Sequence, residues 1–122
     1  ALSEMLGIVL RGEGFEPFFC ADGATAFDAF RETRPDLVLL DEPCAGVNPS
    51  LVGGISTLLK ELNKTQRPDG KRSSFVVIEH NMDFVMDLCH RILVMVEGKV
   101  MAIGTPAEIR GNKQVLDAYL GS

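Results

Sequence analysis

Arg34-Pro35-Asp36-Leu37-Val38-Leu39-Leu40-Asp41-Glu42-Pro43 is the stretch on which the fold turns. Arg34-Pro35-Asp36 breaks whatever helix precedes it. Leu37 to Leu40 is four consecutive apolar residues, the pattern of a strand covered on both faces. Asp41-Glu42-Pro43 ends that strand at a loop and leaves two carboxylates at its exit.

Upstream, residues 3–12 read as a helix that Ser3 can cap, with Leu2, Met5, Leu6, Val9 and Leu10 on one face. Gly12 and Gly14 stop it. Phe15 to Cys20 has strand character, although Pro17 weakens that reading or puts the run on an edge. Asp22-Gly23 makes a turn, and Ala24 to Thr33 is a second helix with Ala26, Phe27 and Phe30 inward. Downstream, Asn48 caps and Pro49 opens a helix. Its stripe is Leu51, Ile55, Leu58 and Leu62, with Val52 and Leu59 beside them, to about Lys64. Thr65 to Ser74 is the longest loop, and Phe75 to Ile78 a second buried strand. A helix from Met82 to Cys89 carries Met82, Val85, Met86 and Cys89 on one face. Ile92–Val96 and Lys99–Ile103 flank Glu97-Gly98, a hairpin signal. Thr105-Pro106-Ala107-Glu108 is a capping box with proline at the first helical position. The last helix runs over 113–120, apolar at Val115, Leu116, Tyr119 and Leu120, and Gly121 stops it. The alternation predicts an α/β layered fold with helices on both faces of a mostly parallel sheet and a C-terminal hairpin, as one domain over 1–122.

Composition bounds the function. The chain has 122 residues, 46% apolar and 24% charged, the proportions of an ordinary globular domain. Its net charge of −5 argues against a nucleic-acid partner, which needs a basic surface. No apolar run approaches the ~20 residues of a membrane span, and no leader pattern opens the sequence; the expectation is a cytoplasmic protein without membrane insertion. Cys20, Cys44 and Cys89 show no CxxC spacing, so a zinc site or disulfide framework is not expected and the thiols read as structural bystanders.

Four stretches within residues 1–41 resemble the receiver domains of bacterial response regulators: Leu2 to Leu6, Leu10 to Phe15, Asp22-Gly23-Ala24 and Arg34 to Asp41. That resemblance places Asp41 at the phosphoacceptor position. The family's first strand, its acidic pair and its later switch residues have no match here. Residues 37–122 resemble, from the Walker B strand onward, the nucleotide-binding subunits of ABC transporters of the branched-chain amino-acid type. The carrying residues are Leu37 to Pro43, Ala45-Gly46-Val47-Asn48-Pro49 (the D-loop) and Val77-Ile78-Glu79-His80-Asn81-Met82 (the switch-histidine region). The tail adds Glu97 to Val100, Gly104 to Ile109 and Ala118 to Gly121. This resemblance implies that Asp41 supports magnesium, Glu42 polarises the attacking water and His80 contacts the γ-phosphate. Nowhere in the sequence is there a GxxxxGK[ST] phosphate loop, a Q-loop or an LSGGQ signature.

The two resemblances overlap at Leu37–Asp41. The expectation is therefore a chimera, engineered or recombinant, of a receiver-like segment 1–41 and an ABC-like segment 42–122. Merging the parents predicts strands at 15–20, 36–41, 75–79, 91–97 and 99–104, in the order 36–41, 75–79, 15–20, 91–97, 99–104. This is a flavodoxin-like and P-loop-like hybrid. Asp41, Glu42 and His80 read as vestigial, with no cofactor site and at most a weak Mg²⁺ site at Asp41. No native activity is expected. The alternatives are a residual ATP-linked ABC fragment and a phosphoacceptor signalling module through Asp41. The blander readings are a solvent-facing loop for His80, a solvated acid for Glu42, a loop cap for Asp41 and no chemistry for His90. Gly53-Gly54, inside a helix, reads as close helix–sheet packing. No partner is required, although an open sheet edge or segment swap allows self-association.

Overall fold

A computed structural model of the protein describes residues 2–120, with side chains from Glu4 to Tyr119. The expected roles of Leu2, Ser3, Leu120 and Gly121 lie outside those described side chains. The element order is α1 (Leu2–Gly12), α2 (Gly23–Thr33), β1 (Leu37–Asp41), α3 (Pro49–Lys64), β2 (Ser74–Ile78), α4 (Met82–Leu88), β3 (Ile92–Val96), β4 (Lys99–Gly104), α5 (Pro106–Arg110) and α6 (Lys113–Leu120). By internal contacts the chain forms two compact units, divided between Pro35 and Asp36, where the sequence suggests one domain.

In the first unit, α1 presents an apolar surface that is not buried: Met5, Ile8 and Val9 are 59–70% exposed. The expected strand 15–20 does not form. Pro17 withholds a donor there, and the Phe19 ring packs so close to Gly7 of α1 that a Cβ on Gly7 would meet it at 3.1 Å. Asp22, read as a turn residue, is the N-cap of α2, its Oδ1 accepting the Thr25 N–H at 2.8 Å. Phe30 is buried as expected, and Arg31 stacks over Phe27 at 4.3 Å.

In the second unit, β1 and β2 pair in parallel, with Asp41 opposite Ile78, and β3 and β4 form an antiparallel hairpin. The described residues thus hold two two-stranded sheets and not one sheet of five strands in the flavodoxin-like order. The neighbouring pairs 36–41 with 75–79 and 91–97 with 99–104 are as expected. The hairpin turn is the Glu97-Gly98 pair, both residues at positive φ (51° and 75°), the backbone that suits a two-residue connection. Val94/Met95 carries a register shift against β4, a β-bulge.

Burial departs from the sequence reading in a consistent way. β1 and β2 alternate between exposed and half-buried positions, so neither is covered on both faces. Leu37, Leu39, Val76 and Ile78 share the open face. The stripe of α3 is also rotated. Leu51 and Leu58 are exposed, whereas Ser56 (2%) and Leu59 are buried. Ser56 tolerates burial because its hydroxyl donates to Asp87 Oδ2 at 2.7 Å. Gly53 and Gly54 face open space, with nothing within 4 Å of an added Cβ, so they mark no close helix–sheet contact.

The best-covered core lies under the hairpin. Ile92, Ile109 and Val115 are buried together, and Met82, Val85, Met86 and Cys89 of the α4 segment pack against them, the face the periodicity predicts. α5 is held at its start by the Thr105–Glu108 capping box, both arms of which are made. Between α3 and β2, the loop is tied to the start of β1. Arg67 bonds Asp36 and Asp69, and the Ser74 N–H reaches the Asp36 carbonyl at 2.9 Å.

Candidate functional site

Parallel pairing puts the C-terminal ends of β1 and β2 at one edge, the edge at which α/β sheets bind ligands. Asp41 is the last residue of β1, and it is exposed. Glu42 follows with φ at +48°, a left-handed conformation that L residues adopt at a cost. Its N–H compensates by donating to the Ile78 carbonyl at 2.8 Å. The backbone then closes two tight turns, Ala45 N–H to Glu42 O at 3.0 Å and Val47 N–H to Cys44 O at 3.2 Å, with Gly46 at φ +70°. Asn48 caps α3 as the sequence suggests, accepting the Ser50 N–H at 3.0 Å.

His80 lies two residues beyond β2, and its Nε2 approaches Glu42 Oε1 at 3.3 Å. The imidazole is 84% and the carboxylate 49% exposed. Two of the three candidates are thus brought together across two loops. His80 is a solvent-facing loop residue, as the blander reading has it, and it is also paired. A carboxylate only accepts, so any hydrogen bond between them is donated by Nε2. His90 is exposed just past α4.

Glu79 organises the ground beneath this pair. Burial pushes its carboxyl up, but N–H groups of Cys44, His80 and Asn81 outweigh that and hold it below the usual carboxylate range. In the sequence Glu79 stands out only as part of the switch-histidine stretch. Its signal is an acid at the first position after a buried-type strand. Asn81 was missed too, although an Asn directly before a periodic run is a capping signal; its Oδ1 accepts the Phe84 N–H at 3.1 Å. Cys44 is half-buried, and desolvation, then the Glu79 charge, push its thiol up, away from thiolate chemistry. Cys89 is also half-buried, but Cys20 is exposed, contrary to a buried bystander.

Among the described residues no group of three or more His, Cys, Asp or Glu side chains can hold a metal. Asp41 with adjacent Glu42 offers the one or two carboxylates that Mg²⁺ accepts when phosphates and waters supply the remaining oxygens. Open depressions lie nearby: one of about 390 Å³ between Cys44 and Val47 on one side and Asn81 and Phe84 on the other, and one of about 550 Å³ lined by Met82, Met86, Ile109, Val115 and Tyr119. Neither is lined by Asp41, Glu42 or His80. No helix among the described residues is long and apolar enough to cross a membrane.

The profile of the family described as "Branched-chain amino acid ATP-binding cassette transporter" matches residues 99–122. The high-affinity branched-chain amino acid transport ATP-binding protein LivG of Salmonella typhimurium is 40% identical over 89 residues, which is 73% of this chain and 33% of that protein. Among solved structures, an ATP-binding cassette of an ABC transporter in its ADP conformation superposes with TM-score 0.58 at 30% identity, covering 74% of this chain and 35% of that one. The structure of cbiO1 from Clostridium perfringens, part of the ABC transporter complex cbiONQ, gives TM-score 0.61 at 28% identity, covering 84% and 41%. That coverage exceeds what the unit from Asp36 onward supplies, so it includes residues ahead of Asp36. The receiver resemblance of residues 1–41 gains no support from these matches. The chain is similar, over most of its length, to the ATP-binding proteins of ABC transporters of the branched-chain amino-acid type, and it spans about a third of the length of such relatives.

Proposed function

We propose that the chain is the C-terminal part of an ATP-binding subunit of an ABC transporter for branched-chain amino acids, working at the cytoplasmic side of a membrane partner. The observation that carries this reading is the Glu42–His80 approach at the C-terminal ends of two parallel strands, with Asp41 beside it. In this reading Glu42 orients the attacking water and His80 contacts the terminal phosphate. Asp41 supports Mg²⁺, which when bound neutralises charge building on the phosphates. Such catalysis is mostly positioning and electrostatic stabilisation around the phosphates. A phosphate loop supplies much of that through its backbone N–H groups and lysine, and this sequence has none. By itself the chain therefore turns over no ATP; it needs a segment bearing a phosphate loop.

The experiment is phosphate release from Mg-ATP by the purified chain, alone and mixed with the phosphate-loop-bearing part of a LivG relative. Turnover only in the mixture, lost on Glu42→Gln, is the expected result. Turnover by the chain alone that Glu42→Gln abolishes would reveal a complete nucleotide site. Silence in both arms would count against the reading.

A second reading keeps the fusion of a receiver-like segment with an ABC-like one. The division of the chain between Pro35 and Asp36, at the margin of the shared segment, favours it. The structural match that extends ahead of Asp36 weighs against it. Reaction with a small phosphodonor followed by intact mass tests the acceptor role that it would give Asp41, for which no modification is expected.

A further inference from the structure

The loops after β1 and β2 are separate in sequence, yet a single side chain joins them. Glu79 is half-buried, and its Oε2 accepts the Cys44 N–H at 3.0 Å while Oε1 accepts the His80 N–H at 3.1 Å. We propose that Glu79 is a positioning residue whose carboxylate, bridging the Cys44 and His80 backbones, sets the approach of Glu42 to His80. The meaning of that approach rests on the nucleotide-site reading above; the bridge itself does not.

The geometry requires such a tie. The His80 side chain is 84% exposed and that of Glu42 about half exposed, so packing holds their separation only weakly. Their distance is then set by the backbones that carry them. Glu42 is in the left-handed region, a conformation that persists only where its surroundings over-determine it. One restraint is its own N–H on the Ile78 carbonyl; the second is Cys44, two residues on, held by Glu79. Both restraints end on adjacent residues at the exit of β2. The turns Glu42–Ala45 and Cys44–Val47 transmit the hold on Cys44 back to Glu42. On the other side, Glu79 holds the His80 N–H directly.

The carboxylate is specifically required. Each of its oxygens accepts an N–H. A glutamine of the same shape keeps one acceptor but presents an NH₂ where the other was, setting donor against donor. Glu79→Gln should therefore break one of the two arms without altering volume.

The test is NMR on the full chain. In the wild type, the Cys44 amide should be protected from hydrogen exchange, and proton–proton contacts should be seen between the Glu42 side chain and the His80 ring. In Glu79→Gln, protection of either the Cys44 or the His80 amide should fall by about tenfold or more, the loss of a hydrogen bond to a charged group. The Glu42–His80 contacts should vanish while amides of α3 and α4 keep their protection. A role confined to stability would lower protection across the unit and leave the contacts. Contacts that survive Glu79→Gln would overturn the proposal. Should that variant not fold, the wild-type Cys44 amide decides: an open-chain exchange rate overturns the bridge, and tenfold or greater protection supports it. The complementation assay with Mg-ATP is separate. Its failure with the bridge intact removes the nucleotide reading, and loss of the bridge with complementation intact removes only the positioning role.

Discussion

The parallel pair β1–β2 and the hairpin β3–β4 are built from equally apolar strands and both leave one face open, Leu93, Met95, Val100 and Ile103 of the hairpin being 49–57% exposed; they differ in how deeply the other face is covered. In the hairpin, Ile92 is buried against Ile109 and Val115, with α4 packed on the same cluster. In the parallel pair the inward residues Val38, Leu40, Phe75 and Val77 are half-buried, and Leu37, Leu39, Val76 and Ile78 are 45–52% exposed. Apolarity makes a strand, but only an available covering surface buries it. The hairpin recruits cover that is local in the chain: α5 and α6 follow β4 directly. The parallel pair is half-covered on its inner face, and its C-terminal edge is where the candidate site lies.

The largest expected effect breaks or sustains this contrast. Ile109 and Val115 are 1% exposed, so Ile109→Ala should cost about 2–4 kcal/mol in urea unfolding. Leu39→Ala, at a residue 45% exposed, should cost less than about 1 kcal/mol. Equal losses would mean that the open face of the parallel pair is covered in solution. Next in size is the cap of the helix that covers the hairpin. Removing the Thr105 hydroxyl by Thr105→Ala should lower stability by about 1 kcal/mol, seen as an earlier thermal transition by circular dichroism.

Beside the parallel pair the sign reverses. Gly53 and Gly54 sit in α3 with open space where a Cβ would go. Gly53→Ala and Gly54→Ala should each raise stability by roughly 0.5–1 kcal/mol, because alanine loses less backbone freedom on entering a helix. A destabilised alanine variant would mean that a surface lies against this helix in solution.

The smallest effect is acid loss of the clamp at the start of β1. Hydrogen bonds from Arg67 and the Lys71 N–H hold the Asp69 carboxyl down, from 3.8 to about 2. A depressed folded value means that this contribution is complete above about pH 4 and lost as pH falls towards about 2. Asp69→Asn should flatten that part of a stability-against-pH curve, modestly, because the group is solvent-screened.

Legibility followed range. The helices over 82–88 and 113–120 begin where expected, and the Asn48, Thr105 and Glu97-Gly98 signals act as read, because each is satisfied by atoms within a few residues. Phe15–Cys20 was misread because strand character says nothing of a partner strand, and Phe19 found Gly7 instead. The α3 stripe was misread because hydropathy ranks Ser56 as outward, while Asp87, on another helix, makes its burial affordable. Asp41, Glu42 and His80 were legible as motif residues; Glu79 was not singled out, since its partners are backbone N–H groups and one of them lies 35 positions away.

By itself, then, the sequence determined the local elements, their caps and turns, and which side chains have chemistry to offer. Tertiary structure decided that Asp41 stands opposite Ile78, that Glu42 therefore meets His80 at 3.3 Å, and that one carboxylate ties the loops carrying them. The reason is physical. Periodicity and capping are short-range and repeat with the chain, whereas strand register and burial depend on which distant surfaces are present to be paired or covered.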